Sequence, residues 1–189
     1  MKNHSYGQRL HEVIEKLNLN NVTLAGFSLG GLIILKTLEY DETRINQVYL
    51  TAPAYIVNGN PIKALLQVFI PMKRFIKTHK QKYIIQFLSK LFTDQDPFAL
   101  AFLSKVFTEF KMDFSPVPVI STKKANQIKT PITIFAAQED LMFPGGKMIK
   151  RVHKIFPSLK QGILLKSSKH VQGHEHNVQI INTILEDQS

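Results

Sequence analysis

The sequence predicts an α/β fold, a mostly parallel sheet with helices packed on both faces. Three observations point there. Short apolar runs rich in strand formers alternate with segments of helical periodicity. A glycine-rich turn, Gly26 to Gly31, stands between the first of these runs and the helix that follows it. One stretch of helical pattern, residues 60–126, is rich in Phe and in positive charge and interrupts the alternation once.

Taken in order, Leu10, Val13, Ile14 and Leu17 recur at helical spacing, so residues 8–18 read as an amphipathic helix. Asn18, Asn20 and Asn21 form a turn. Val22 to Ala25 is the first strand and Leu32 to Glu39 the helix after the glycines. Ile45 to Ala52, closed by Pro53, is a second buried strand. Residues 62–70 read as a helix ended by Pro71, and residues 72–92 as the next. Asp96-Pro97 has a capping side chain followed by proline at the first helical position, so it opens another helix. Phe98, Phe102, Val106 and Phe110 continue its apolar face, and Pro116 and Pro118 end it. Pro131 to Ala137 is a third strand. Lys147 to Phe156 is a helix, with Ile149, Val152 and Ile155 on one face. Gln161 to Lys166 is a fourth strand, and Val178, Ile181, Ile184 and Leu185 mark a terminal helix.

Composition narrows the function classes. A chain of 189 residues with 44% apolar and 20% charged residues can bury one core. There is no Cys, which removes disulfides, thiolate zinc sites, iron–sulfur clusters and cysteine nucleophiles together. No apolar run approaches the roughly 20 residues of a spanning helix. The N-terminus has no apolar signal core, and a cytoplasmic location is the expectation. The net charge is +10, and residues 60–126 hold 11 Lys/Arg against 4 Asp/Glu, so that third of the chain carries +7 of it; it also holds 9 of the 13 Phe.

The motif that carries chemistry is Gly26-Phe27-Ser28-Leu29-Gly30-Gly31, which matches G-x-S-x-G between a strand and a helix. At average composition, chance gives roughly 0.05 matches in a chain of this length. The physical need is a turn so tight that residues two positions either side of the serine have no room for a side chain. Ser28 then stands at a helix N-terminus, where backbone N–H groups favour a developing oxyanion. A serine hydroxyl is a weak nucleophile and needs a base oriented by a third group. Asp140, just past the third strand, is the candidate acid, with its neighbour Glu139 as rival. His170, a few residues past the fourth strand, is the candidate base, with His174 as rival.

This set resembles the α/β-hydrolase family, in its serine esterase and lipase-like branch. The resemblance runs from about residue 8 to the C-terminus and rests on Gly26 to Gly31, on Pro131 to Asp140, and on His170 followed five residues later by Glu175 and an amphipathic helix. Lys169 and Ala137 stand where family members often have glycine. The resemblance implies a Ser28–His170–Asp140 triad, with Leu29 N–H in the oxyanion hole and Phe27 against the substrate. It also implies a small ester substrate with an apolar acyl group, and no cofactor. Residues 1–59 and 127–189 are then the two parts of the core, and residues 60–126 a helical lid inserted before the strand that carries the acid. A full family domain has four strands before the elbow strand. The resemblance therefore implies the C-terminal part only, strands five to eight, truncated at its N-terminal side and without the loop that gives the second oxyanion donor.

Other readings stand beside this one. A catalytically impaired remnant is the alternative function. His170 and His174, four residues apart, invite a metal, but His-Glu-x-x-His is absent and the expectation is none. Lys73, Arg74, Lys77, Lys80 and Lys82 suit either solvent or an anionic membrane surface. Nucleic acid has only net charge behind it, and no recognition motif. The elbow strand, left unpaired on one side, is expected to favour self-association.

Overall fold

The computed structural model describes residues 5–110 and 115–188. Four strands, β1 (Val22–Phe27), β2 (Ile45–Thr51), β3 (Ile132–Ala137) and β4 (Leu159–Leu165), form one sheet in the order β1-β2-β3-β4. Every neighbouring pair is parallel. The helices, in chain order, are α1 (Ser5–Lys16), α2 (Leu29–Tyr40), α3 (Pro61–Ala64), α4 (Ile70–Thr78), α5 (Gln81–Leu91), α6 (Pro97–Glu109), α7 (Thr122–Ala125), α8 (Gly145–Ile155) and α9 (His174–Gln188). The predicted α/β class and parallel sheet are therefore those of the structure, and α3 to α7 all fall between β2 and β3.

Strand alternation decides what each face buries. Val48 and Leu50 of β2 and Ile132 and Ile134 of β3 point to one face, where Leu32 and Leu35 of α2 and Met148 and Val152 of α8 complete the main core. Tyr49, Phe135 and Leu165 point to the other and meet Ile180 of α9. Each fully buried aliphatic side chain contributes about 1.5–3 kcal/mol. Glu42 then fixes where β3 enters beside β2. Its carboxylate accepts from the N–H groups of Lys129 and Thr130 and from the Thr130 hydroxyl.

The helical segment between β2 and β3 corrects several expectations. Pro71 does not end a helix. A single π turn, Leu65–Phe69, links α3 to α4, and Pro71 lies in the first turn of α4. The wider turn accommodates the proline ring, which would collide with the carbonyl four residues back in a regular helix. Residues 72–92 are two helices, because His79 adopts a left-handed conformation (φ 53°) that closes α4. Asp96 caps α6 as Asp-Pro predicts, accepting from Phe98 N–H at 2.8 Å.

The buried face of α6 lies one position over from the expected one. Ala99 and Phe107 are buried, whereas Phe98, Phe102 and Phe110 are 76%, 55% and 64% exposed. The segment nonetheless has a core of its own, built on Val68, Met72, Phe75, Ile84, Phe87, Leu91 and Phe107. Phe87 and Phe107 meet edge to face at 5.2 Å. Phe114, one of the nine phenylalanines of this stretch, lies outside the described residues.

The terminal helix forms where it is predicted. Ile180 is the residue α9 buries, while Val178, Ile181 and Leu185 stay 42%, 54% and 60% exposed. On β1, Thr23 and Ala25 are exposed as well. Ala25 pairs with Tyr49 of β2, so the bare positions share the face that α9 covers farther along the sheet. Helical cover of that face stops short of β1.

Candidate active site

The turn from β1 to α2 holds Ser28 in a conformation few L-residues adopt, φ 50° and ψ −112°. Such a conformation costs on the order of 1–3 kcal/mol and persists only where its surroundings over-determine it. They do so here. Ser28 N–H donates to Thr51 O at 3.0 Å, and Ser28 O accepts from Gly31 N–H at 3.1 Å and Ala54 N–H at 2.9 Å. A Cβ on Gly26 would lie 2.6 Å from Ile34 Cδ1 and 2.9 Å from the Gly30 carbonyl carbon, and one on Gly31 would lie 2.5 Å from Pro53 Cβ. Gly30 differs from the expectation, since a Cβ there meets nothing within 4 Å. The crowding acts on Gly26 and Gly31, through the backbone of the turn and through Pro53 beyond β2.

Asp140 and His170 come to this turn from the ends of β3 and β4. Asp140 is buried, and its Oδ1 accepts from Met142 N–H at 2.7 Å and Phe143 N–H at 2.9 Å. Those two bonds fix the carboxylate so that Oδ2 faces His170 Nδ1 at 2.7 Å. With its proton on Nδ1, the ring leaves Nε2 as the acceptor for the Ser28 hydroxyl, whose Oγ lies 2.9 Å away. Phe27 and Phe143 pack against the imidazole, with ring centroids at 5.1 and 5.5 Å. Leu29 opens α2, so its N–H is among the first-turn donors that have no carbonyl partner inside the helix. The side chains of Phe27 and Leu29 remain 43% and 41% exposed beside Ser28.

The rivals lie elsewhere. Glu139 is exposed and contributes its N–H to Ser168 O at 2.8 Å. His174 begins α9, its N–H donating to Asp94 Oδ2 at 2.8 Å, and His176 Nε2 donates to Lys166 O at 2.9 Å. Among the described residues, no group of three or more His, Cys, Asp or Glu is placed to hold a metal ion, and no helix is long and apolar enough to cross a membrane. In the basic segment, Arg74 and Lys82 both lie over the ring of Tyr83.

A cavity of about 340 Å³ opens between α5 and α6, with Leu88, Phe92 and Leu100 on its apolar side and Asp94, Asp96 and Lys169 on its polar side. Neither Ser28 nor His170 lines it. Sequence reasoning missed Thr93 and Asp94, which touch the His170 loop from across the chain. Their contacts span 76 to 80 residues of sequence, and no local pattern marks them.

No protein-family model matches the chain, and no curated protein matches its sequence. Solved structures do match its fold. Naproxen esterase from Bacillus subtilis superposes with a TM-score of 0.79 at 16% identity, over 97% of this chain and 65% of that one. A meta-cleavage product hydrolase from Pseudomonas fluorescens gives 0.74 at 12% identity, over 96% and 70%. An esterase from Exiguobacterium antarcticum gives 0.69 at 18% identity, over 95% and 71%. The chain thus spans a little under two thirds of naproxen esterase. Likeness at such low identity is a likeness of chain path, and that shared path, with its parallel strands and packed helices, makes this polypeptide a partial α/β-hydrolase fold.

Proposed function

We propose that the chain is a serine hydrolase that cleaves carboxylic esters through an acyl-enzyme. One observation carries the reading: Ser28 Oγ, the His170 ring and the Asp140 carboxylate form a continuous relay at 2.9 and 2.7 Å. In the proposed cycle Ser28 Oγ attacks the ester carbonyl carbon as His170 Nε2 takes its proton. The oxyanion is held by Leu29 N–H. Collapse of the tetrahedral adduct expels the alcohol, which takes the proton back from Nε2 and leaves the acyl group on Ser28. Water then adds by the same route and releases the acid. Asp140 keeps the Nδ1 proton in place and stabilises the imidazolium. The exposed faces of Phe27 and Leu29 favour an apolar acyl group.

A second reading, a chain that keeps the relay but turns over poorly by itself, is favoured by the position of β1 at the sheet edge. Leu29 is the single oxyanion donor identified among the described residues, and one such donor is worth about 10²–10³ in kcat.

The test is labelling by a fluorophosphonate probe together with p-nitrophenyl ester turnover. The expected result is labelling that Ser28→Ala abolishes. Ser28→Ala and His170→Ala should each remove nearly all turnover, because relay members act as a unit. His174→Ala and His176→Ala should keep most of it. Full turnover in Ser28→Ala would overturn the reading, while labelling with turnover far below about 1 s⁻¹ would select the impaired form.

A further inference from the structure

The loop that carries His170 is held from outside the sheet as well as from within it. Where β4 ends, Gln138 N–H donates to Leu165 O at 3.0 Å and Glu139 N–H to Ser168 O at 2.8 Å, so the acid loop holds the start of the base loop. The two residues flanking His170 are held by the helical segment instead. Lys169 N–H donates to Thr93 Oγ1 at 2.9 Å, and that same hydroxyl donates to Val171 O at 2.8 Å. Thr93 N–H also donates to Val171 O at 3.0 Å, and Val171 N–H donates to Leu91 O at 2.8 Å. The result is a short parallel bridge between Phe92 and Val171, set directly beside the base.

We propose that Thr93 is a positioning residue for His170, its hydroxyl spanning the peptide groups on either side of the base and holding Nε2 on Ser28. The role is acceptor to Lys169 and donor to Val171 at once, which one hydroxyl can fill and an aliphatic side chain cannot. Its surroundings pack closely around it. Thr93 follows α5, and Asp94 continues the clamp by accepting from His174 N–H at the start of α9. A Cβ on Gly173 would lie 2.6 Å from the Asp94 carboxylate, so chain and clamp fit closely there. The cavity between α5 and α6 is lined by Thr93, Asp94 and Lys169, so it opens directly beside the clamp. Reaching the substrate is not required of Thr93. It acts through His170, and in that respect the inference rests on the relay reading above.

The experiment compares Thr93→Val and Thr93→Ser with the unaltered chain by two independent readouts. The first is structural: the downfield proton resonance of His170 Nδ1–H, held by Asp140, and the exchange rates of the Lys169 and Val171 amides. Thr93→Val should broaden or shift the resonance and speed exchange at Lys169, and Thr93→Ser should restore both. The second is turnover, where Thr93→Val should lower kcat by about 10- to 100-fold with KM nearly unchanged, since misplacing a reacting group by about 1 Å can cost up to that scale. Thr93→Ser should again restore it. If the resonance, the exchange rates and kcat in Thr93→Val match the unaltered chain, the proposal is wrong. If the structural readouts move as expected while the unaltered chain cleaves no ester, the positioning role stands and the hydrolase reading fails.

Discussion

At the scale of single residues, the turn that carries Ser28 separates two glycines that look alike in the G-x-S-x-G string. Gly26 has the backbone of Gly30 and the side chain of Ile34 within 3 Å of any added Cβ, while Gly30 faces open space. Gly26→Ala should therefore destabilise the fold by about 1–3 kcal/mol, the range for overpacking a tight site, and it should displace Ser28. Gly30→Ala should be neutral or stabilising by roughly 0.5–1 kcal/mol, the helix-propensity difference between the two residues. Urea unfolding of the two variants checks both expectations, and equal losses would show that crowding at Gly26 does not shape the turn. The string identified the serine and its setting. It does not distinguish the glycine that is crowded from the one that is not, because the nearest crowding atom at Gly26 belongs to Ile34, eight residues away, and that at Gly31 to Pro53, 22 residues away.

Among the elements, α9 depends on a polar anchor as much as on its apolar face. Tyr49 Oη donates to Asp187 Oδ2 at 2.7 Å, and the Gln47 amide and Lys160 ammonium also bind that carboxylate. Burial and the nearby carboxylate push the Tyr49 hydroxyl up to about 12. The hydrogen bonds of Lys160 and Tyr49 hold the Asp187 carboxyl below its ordinary value of 3.8. A carboxyl depressed in the folded state gives stability that is complete above 3.8 and is lost as pH falls through the lower folded value. Asp187→Ala strips Tyr49 of its acceptor and should cost about 1–3 kcal/mol at pH 7. The exposed side of the Lys160 pair adds little to that. The gap between variant and unaltered chain should narrow as pH drops below 3.8, and denaturation curves at pH 7 and pH 3 measure it. A gap that widens in acid would contradict the anchor. Periodicity placed this helix correctly, and of the apolar residues that marked it, Ile184 packs toward the sheet while Val178, Ile181 and Leu185 stay exposed. The helix has two candidate apolar stripes, and Asp187, through Tyr49, turns the one with Ile180 and Ile184 toward the sheet.

For the molecule as a whole, β1 is the open side. It pairs with β2 along one edge, and its Thr23 and Ala25 lie on the sheet face that α9 leaves uncovered. Unpaired N–H and C=O groups beside exposed apolar side chains are a template for another strand. The chain by itself is expected to associate with a second copy through this edge. Size-exclusion chromatography with light scattering should report a mass above the monomer that rises with concentration. Lysine or proline introduced at Thr23 or Ala25 should shift it toward monomer. A monomer at all concentrations would refute the expectation.

What the sequence determined by itself was local and periodic. Strand–helix alternation set the fold class, the order Ser28, Asp140, His170 along the chain set the candidate relay, and Asp96-Pro97 set the start of α6, because each is written in a few neighbouring residues. What only the tertiary structure decided was relational. Asp140 rather than Glu139 meets His170 because the end of β3 buries one and exposes the other. His170 rather than His174 meets Ser28 because the loop after β4 brings the first to the turn between β1 and α2 and leaves the second on α9. Pro71 sits within a helix because a π turn makes room for it. Thr93 reaches the two residues flanking His170, 76 and 78 positions away, because α5 ends beside the loop after β4. Periodicity records which side chains share a face of one element. Which of two similar faces or neighbours is used is set by the energy of packing against other elements, and that information is spread over residues distant in sequence.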